Sequence, residues 1–217
     1  MEKFILSYSC GKDSTLSLYR LIEKGYIPVG LIVTVNKNED KSWFHGIPSD
    51  ILDKVSEALS IPLIKVNCVG DEYEKAFEEA LNKGKAMGAK FCAFGDIDID
   101  RHRTWCTDRC NNVNMETKFP LWQEDREKLT KEFIDNGFKS IIKCCNDTEL
   151  DESYLGKVLT HSLVEKIKKT GADPCGENGE YHTFVYDGPI FKNEIGFKIG
   201  EKFKNNNYNH ILITDNL

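Results

Sequence analysis

The feature that most constrains the fold is the regular alternation of short apolar segments and amphipathic segments in the first half of the chain. The pattern predicts strands at 4–8, 29–35, 63–68 and 91–94, and helices at 14–24, 49–59 and 73–87. Such βαβα alternation is typical of a parallel sheet covered by helices. The sequence therefore predicts an α/β, Rossmann-like domain that binds its ligand outside the carboxyl ends of the strands.

The second half of the chain has a different pattern. It predicts helices at 124–136 and 160–169, a strand at 138–144, and short apolar runs at 182–186, 195–198 and 210–214 that are separated by turn signals. We expect a smaller α+β domain packed on the first. The predicted division is residues 1–120 for the parallel-sheet domain and 121–217 for the C-terminal domain.

The composition of the chain argues against a membrane protein, a general nucleic-acid-binding protein and a structural zinc protein. No apolar run approaches the length of a membrane span and the N-terminus has no signal-peptide pattern, so we expect a cytoplasmic protein without membrane contact. The net charge of −6 argues against broad nucleic-acid binding. The eight cysteines include no CxxC pair, which favours reduced thiols over structural zinc. The oligomeric state stays open.

The segment SYSCGKDS lies between the first predicted strand and the first predicted helix. A strand-to-helix turn offers free backbone N–H groups and the positive end of a helix dipole, which suit a phosphate group. Glycine allows close approach of the backbone, lysine adds a charge, and serine adds hydroxyls. It is not a Walker A loop. The predicted anion-binding residues are Ser9, Cys10, Gly11, Lys12, Asp13 and Ser14.

A second polar pair, Gly95 and Asp96, follows the predicted strand 91–94. In a parallel sheet this position could share a rim with the first turn, so both residues are candidates for the same site. Asp13 and Asp96 are candidate metal-supporting carboxylates, although Asp13 could instead cap its helix. His45, just past the second strand, fits either an adenine pocket or an ordinary loop.

The segment GENGEYHT concentrates chemistry near the C-terminus. Glu177, Glu180 and His182 fall within six residues among glycines, immediately before a strand-like run. Such a loop could bind magnesium, position an amine or recognise a polar substrate. The alternative is a solvated turn ahead of a strand.

Together these motifs resemble the diphthine–ammonia ligases, within the wider group of PP-loop ATP pyrophosphatases. The S-x-G-K-D-S pattern matches residues 9–14, and further marks match Gly95-Asp96-Ile97, Pro120-Leu121-Trp122 and the stretch 176–183. The later motifs narrow the assignment, because other enzymes share the PP-loop. Cys10 departs from the pattern, which usually has glycine there; its side chain would require a negative φ or would narrow the phosphate cradle.

The resemblance implies a HUP-type ATP-binding domain and an enzyme that activates a carboxylate as an acyl-adenylate for attack by ammonia. It implies ATP and Mg²⁺ as cofactors, with AMP and pyrophosphate as products, and elongation factor 2 as the protein substrate if the source makes diphthamide. The predicted catalytic residues are Lys12, Glu177, Glu180 and His182. Two alternatives stay open: a PP-loop tRNA sulfur transferase and an ATP-binding sensor without catalysis.

Overall fold

A computed structural model describes residues 1–43 and 45–215 of the chain. The first half forms a 6-stranded sheet in which β4, β2, β1, β5 and β6 run parallel, and the short β3 pairs antiparallel with the end of β2. The strands of this sheet are β1 (Lys3–Ser7), β2 (Ile27–Asn36), β3 (Lys41–Ser42), β4 (Leu63–Cys68), β5 (Phe91–Ala93) and β6 (Glu116–Lys118). The predicted α/β class is confirmed.

The helices of the first half pack their apolar faces on this sheet. They are α1 (Lys12–Glu23), α2 (Ser49–Leu59), α3 (Tyr73–Ala86) and α4 (Asp100–Asn112). In α2 the spacing of Ile51, Leu52, Val55 and Leu59 places the buried side chains on one side, which is why the periodicity located this helix correctly. Helix α1 begins two residues before its predicted start, at Lys12.

The second half contributes a 4-stranded antiparallel sheet in the order β8, β7, β10, β9. The elements of this half are α5 (Arg126–Asp135), β7 (Lys139–Asn146), α6 (His161–Thr170), β8 (Tyr181–Asp187), β9 (Lys198–Asn205) and β10 (Tyr208–Thr214). Short 3₁₀ helices lie at Gly70–Glu72 in the first half and at Glu152–Tyr154 in the second. The smaller α+β part is thus present. The division at residue 120 falls between β6 and α5 and stays a prediction.

Two expectations about elements are corrected. The short apolar run at 195–198 does not mark a strand: the strand lies at Lys198–Asn205, where all eight residues are exposed and show no apolar alternation. Helix α4 was not predicted as an element, because it buries only Cys106 and Cys110 and carries a mostly charged surface. Strand β9 and helix α4 are therefore stabilised by pairing or packing with other parts of the chain, and neither has an apolar pattern in its own sequence.

The two halves share one apolar core. Phe4 and Leu6 of β1 pack in the same cluster as Phe184 of β8 and Ile213 of β10. The guanidinium of Arg20 adds a polar tie, since it binds two glutamates and one carbonyl of the stretch 120–132. This packing brings the carboxyl ends of β1 and β5 against the start of β8.

No helix among the described residues is long and apolar enough to cross a bilayer.

Candidate functional site

The turn between β1 and α1 is closed by its own polar groups. Ser9 Oγ lies 3.1 Å from Ser14 Oγ and accepts from the Gly11 N–H at 3.3 Å. The Gly11 carbonyl accepts from the N–H of Thr15 at 3.1 Å and from its hydroxyl at 2.8 Å, which begins the helix. The first N–H groups of a helix lack partners within it. Of these, the Lys12 N–H donates to Thr183 Oγ1 at 3.0 Å. The next two residues, Asp13 and Ser14, line the cleft, where their N–H groups and the helix dipole can serve an anion.

Cys10 contributes only its backbone to this turn. Its φ is +63° and its side chain is fully buried in the apolar cluster that contains Phe4. Its carbonyl accepts from the Val185 N–H at 2.9 Å. The expectation that a side chain at this position requires a negative φ or narrows the cradle is therefore wrong, because the left-handed backbone turns the thiol into the core. The thiol does not line the cleft.

Lys12 is a buried cation paired with its neighbour. Its Nζ lies 2.9 and 2.7 Å from the two carboxylate oxygens of Asp13 and 5.6 Å from the centroid of the Tyr181 ring. Burial lowers the pKa of Lys12, but the Asp13 carboxylate outweighs it and holds that pKa well above the usual value. Lys12 is therefore charged, at the start of α1, throughout the physiological pH range.

Gly95 and Asp96 lie on the same rim as the turn, as predicted. A Cβ at Gly95 would come within 2.8 Å of the Ser14 nitrogen, so only glycine allows this loop to pack against the first turn of α1. Asp96 Oδ1 lies 3.3 Å from His102 Nδ1, and the carboxylate retains partial exposure to the cleft. Burial is the largest cause that raises the pKa of Asp96, and His102 opposes it.

Glu177 reaches the cleft from the opposite side. Its Oε1 accepts from the Ile97 N–H at 3.3 Å. Burial first, and then the Asp13 carboxylate, raise the pKa of Glu177 to about 7, while Lys12 acts in the opposite sense. Glu177 is thus a carboxyl group that can hold or release a proton near neutral pH.

Two histidine rings lie close together, tilted by 44° to one another, beside the turn between β1 and α1. The His45 and His182 ring centroids are 4.9 Å apart, and His45 Nδ1 lies 2.8 Å from the carbonyl oxygen of Thr183. Burial lowers the pKa of His45 to about 3 and that of His182 to about 4; the facing imidazole adds to the effect on His45, and Lys12 adds to the effect on His182. Both rings are neutral at physiological pH.

Glu180 does not line the cleft with Glu177 and His182. It is buried, and its carboxylate accepts from the N–H of Asp173 and Asn178 and from the Asn178 side-chain amide, at 3.0–3.4 Å. These bonds close the loop that carries Glu177. The structure therefore favours a structural role for Glu180 over the predicted catalytic one, because three hydrogen bonds hold its carboxylate in its own loop and it does not line the cleft.

Apart from Cys10 and Glu180, all the predicted site residues line one cleft, together with several residues that the sequence analysis does not assign to the site. The additional lining residues are Ser7, Phe94, His102, Gly176, Tyr181 and Thr183, together with His45, for which a loop role was left open. Thr183 could have been read from its place in the GENGEYHT motif, whereas His102 lies in a basic stretch that suggests a solvated helix. In the described part of the chain, no group of three or more acidic, histidine or cysteine side chains is arranged to hold a metal ion by itself.

The first strand of the parallel sheet leads through the S-x-G-K-D-S turn into a helix that starts at a buried lysine. This arrangement defines an α/β protein of the PP-loop class. Sequence models of the diphthamide synthase N-terminal domain and C-terminal domain match residues 2–117 and 125–216. The chain therefore belongs to the diphthamide synthase family.

Individual proteins are similar to this chain over most of its length. The diphthine–ammonia ligase of Rattus norvegicus is 30% identical over 212 residues, which cover 86% of this chain and 79% of that protein. A tRNA-specific 2-thiouridylase of Clostridium botulinum is 25% identical over 188 residues, 82% of this chain but 47% of that protein. Among solved structures, a predicted subunit of tRNA methyltransferase from Methanocaldococcus jannaschii covers 90% of this chain and 100% of its own, with 17% identity and a TM-score of 0.46.

Proposed function

We propose that this protein is an ATP-dependent amide ligase of the diphthine–ammonia ligase type, which activates a carboxylate with ATP and transfers it to ammonia. One observation carries the proposal: the turn between β1 and α1 at residues 9–14, here called the phosphate turn, and the GENGEYHT loop at residues 176–183 are far apart in the chain but line a single cleft. In a source that makes diphthamide, the acceptor is diphthine on elongation factor 2. We place the reaction in the cytoplasm.

The ATP phosphates fit the turn between β1 and α1. Backbone N–H groups at the start of α1 and the Ser9 and Ser14 hydroxyls offer hydrogen bonds, and Lys12 offers a charge. These donors are held in place before substrate arrives, because the turn is closed by its own bonds. They would stabilise the negative charge that develops on pyrophosphate as it leaves.

Magnesium is part of the proposal, and Asp96 is its best ligand. Both Asp13 oxygens already accept from Lys12 Nζ, whereas the Asp96 carboxylate is partly exposed to the cleft. Mg²⁺ is commonly held by one or two carboxylates together with substrate phosphates, so the lack of a three-residue cluster in the described chain is compatible with this role. When bound, Mg²⁺ supplies charge neutralisation for the phosphates.

The acceptor side is served by Glu177 and His182. In the first step the acceptor carboxylate attacks the α-phosphorus and pyrophosphate leaves; in the second, ammonia adds to the activated carbonyl carbon and AMP leaves. The added nitrogen must lose a proton, and Glu177, with a pKa of about 7, is better matched to receive it than His182, with a pKa of about 4. The neutral His182 ring would then position the amine or the acceptor.

The burial of the thiols disfavours the sulfur-transferase alternative. All eight cysteines are buried and free, and none lines the cleft. Cys175 comes nearest, with its Sγ 3.5 Å from Asp13 Oδ1, but burial raises the pKa of that thiol to about 12. A sulfur transferase that uses a protein thiol requires an accessible thiolate, which this cleft does not offer.

The test follows the fate of ATP labelled at the α-phosphate, with ammonium and a diphthine-bearing elongation factor 2. We expect AMP only when the acceptor is present. His182→Ala is expected to retain ATP affinity and to lower acceptor-dependent AMP formation, because the ring that positions the amine or the acceptor is lost. Glu177→Gln is expected to lower AMP formation by about 10²–10⁴-fold, because it removes the general base. Steady ADP release would reject the ligase, and ATP binding without turnover on this acceptor would favour the sensor.

A further inference from the structure

Strand β7 contains a bulge beside the cleft. Ile142 pairs with Thr183 and Cys144 pairs with His182, so Lys143 is an extra residue without a partner of its own on β8. A bulge of this kind redirects a side chain, and such bulges are frequent next to active sites. Both residues opposite the bulge line the cleft. Lys143 itself does not line the cleft, but the bulge places it between the two β7 residues that pair with these cleft residues.

Lys143 is a buried cation without a counter-ion. The residue is 1% exposed, and within residues 1–43 and 45–215 its Nζ has neither a hydrogen bond nor an ion pair. Burial lowers the pKa of Lys143 to about 8, with a further contribution from Lys41 and opposition from the Cys144 thiol. An unpaired buried charge costs free energy, so the packing alone does not explain why a lysine stands here.

Among the described groups around Lys143, Lys41 adds positive charge and none adds negative charge. Lys41 on β3, His45 in the loop after it and His210 on β10 are its titratable neighbours across the packed elements, and Cys144 is its neighbour on its own strand. Burial raises the pKa of Cys144 to about 12, so that thiol is neutral. No carboxylate of the described residues acts on Lys143 in this group. The cluster is complementary to an anion.

The position of His45 separates Lys143 from the phosphate turn. The Cε1 atom of His45 would be 2.6 Å from a Cβ at Gly11, and Lys143 Nζ would be 3.9 Å from a Cβ at Gly46. The imidazole thus lies against the turn, and Lys143 lies by the residue that follows it. Lys12 already supplies the cation at the turn itself. The two lysines are thus separate cations, so an anion at Lys143 would not take the place of a phosphate at Lys12.

We propose that Lys143 binds the carboxylate of the acceptor and holds it beside the α-phosphate of ATP. This inference rests on the proposed ligase function, in which two anions must come into contact for the first bond to form. Their repulsion is the electrostatic obstacle to that step, and a cation in a site with little water reduces it most effectively. The acceptor carboxylate is then the missing partner of Lys143.

The kinetic test compares Lys143→Met, which preserves the length of the side chain, with Lys143→Arg, which preserves the charge. We expect Lys143→Met to leave the Kd for ATP, measured by titration calorimetry without acceptor, within about 2-fold of wild type, and to raise the KM for diphthine-bearing elongation factor 2 by about 10- to 100-fold. Lys143→Arg should recover part of this loss. Normal ATP binding shows that each variant is folded.

Two kinetic results would overturn the inference. An acceptor KM equal to that of wild type in Lys143→Met would show that the acceptor does not depend on this charge. A loss of ATP affinity as large as that of Lys12→Ala would assign Lys143 to the phosphate site instead.

A second measurement is independent of turnover and separates this inference from the proposed function. In protein labelled with ¹³C and ¹⁵N at lysine, the Lys143 signal is identified by its loss in Lys143→Arg, and its pKa is followed by NMR in propionate and in chloride at equal ionic strength. We expect propionate to raise the pKa of Lys143 and to leave that of an exposed lysine such as Lys24 unchanged. If AMP formation fails in wild type, the ligase proposal fails, yet the NMR titration still decides the carboxylate site. An identical Lys143 titration in both salts would overturn it.

Discussion

The backbone N–H of Lys12, the first residue of α1, donates a 3.0 Å hydrogen bond to Thr183 Oγ1 on β8. This buried bond joins the phosphate turn to the strand that follows the GENGEYHT loop. The carbonyl oxygen of the same threonine lies 2.8 Å from His45 Nδ1. Because Thr183 contacts both sides, the geometry of the phosphate turn and that of the acceptor side depend on each other.

Thr183→Val is expected to lower the free energy of unfolding by about 1–3 kcal/mol, because it leaves the buried Lys12 N–H without an acceptor. Thr183→Ser keeps the hydroxyl and serves as the matched control. Urea unfolding of the three proteins checks this. Equal stability of the valine variant and wild type would mean that the bond contributes nothing.

Lys12→Ala is expected to weaken ATP binding by about 1–3 kcal/mol, or about 5- to 150-fold in Kd. The variant removes a charge from the phosphate site and also leaves Asp13 without its ion-pair partner, so an uncompensated carboxylate faces the phosphates. Lys24→Ala, just beyond the exposed end of α1, is the control. Unchanged affinity in Lys12→Ala, measured by titration calorimetry, would remove ATP from this turn.

The extent to which the sequence predicts the fold depends on how the residues are buried. Helix α2 and strand β4 were located at their observed bounds because their buried residues alternate with the period of the element. Strand β9 has no buried face, so its position is set by pairing with β10 rather than by its own pattern. The left-handed backbone at Cys10 likewise depends on the core into which its side chain packs.

The sequence predicts those site residues for which a motif and the sheet topology agree. It does not predict residues whose position depends on tertiary packing. Lys12 and Asp96 follow from the parallel-sheet rule that places ligands at the carboxyl ends of strands. Glu180 is predicted to be catalytic because it shares a motif with His182, but it lies in the loop before β8 and its carboxylate accepts hydrogen bonds from that loop. Lys143 lies in an ordinary strand-like segment, IIKCC, whose sequence does not indicate the β-bulge at this residue.

The buried histidines predict loss of stability in mild acid. The pKa values of His45 and His182 are about 3 and about 4 in the folded protein, below the usual 6.5, so the unfolded chain binds more protons as the pH falls. Each histidine should lower the free energy of unfolding by up to about 1.4 kcal/mol per pH unit below about pH 6.5. His182→Asn should flatten this dependence in urea unfolding between about pH 7 and about pH 5. Identical pH dependence in both proteins would contradict the burial of a neutral imidazole.

Glu177 predicts a pH dependence of opposite sign. Its pKa is about 7 in the folded protein and 4.5 in its ordinary state, so the folded protein binds the extra proton between these values and loses stability as the pH rises through them. Relative to wild type, Glu177→Gln should therefore gain stability from about pH 5 to about pH 8, by up to about 3 kcal/mol. Glu149→Gln at the exposed turn after β7 is the control. A stability difference that does not vary with pH would refute the raised pKa.

The central claim is that the acceptor carboxylate forms a bond to the α-phosphorus before ammonia enters. The most direct measurement uses an acceptor labelled with ¹⁸O in that carboxylate and determines the label in AMP by mass spectrometry. The mechanism predicts one ¹⁸O atom in each AMP formed, because the carboxylate oxygen that attacks phosphorus stays with AMP when nitrogen displaces it. AMP without ¹⁸O, formed together with the amide, would contradict it.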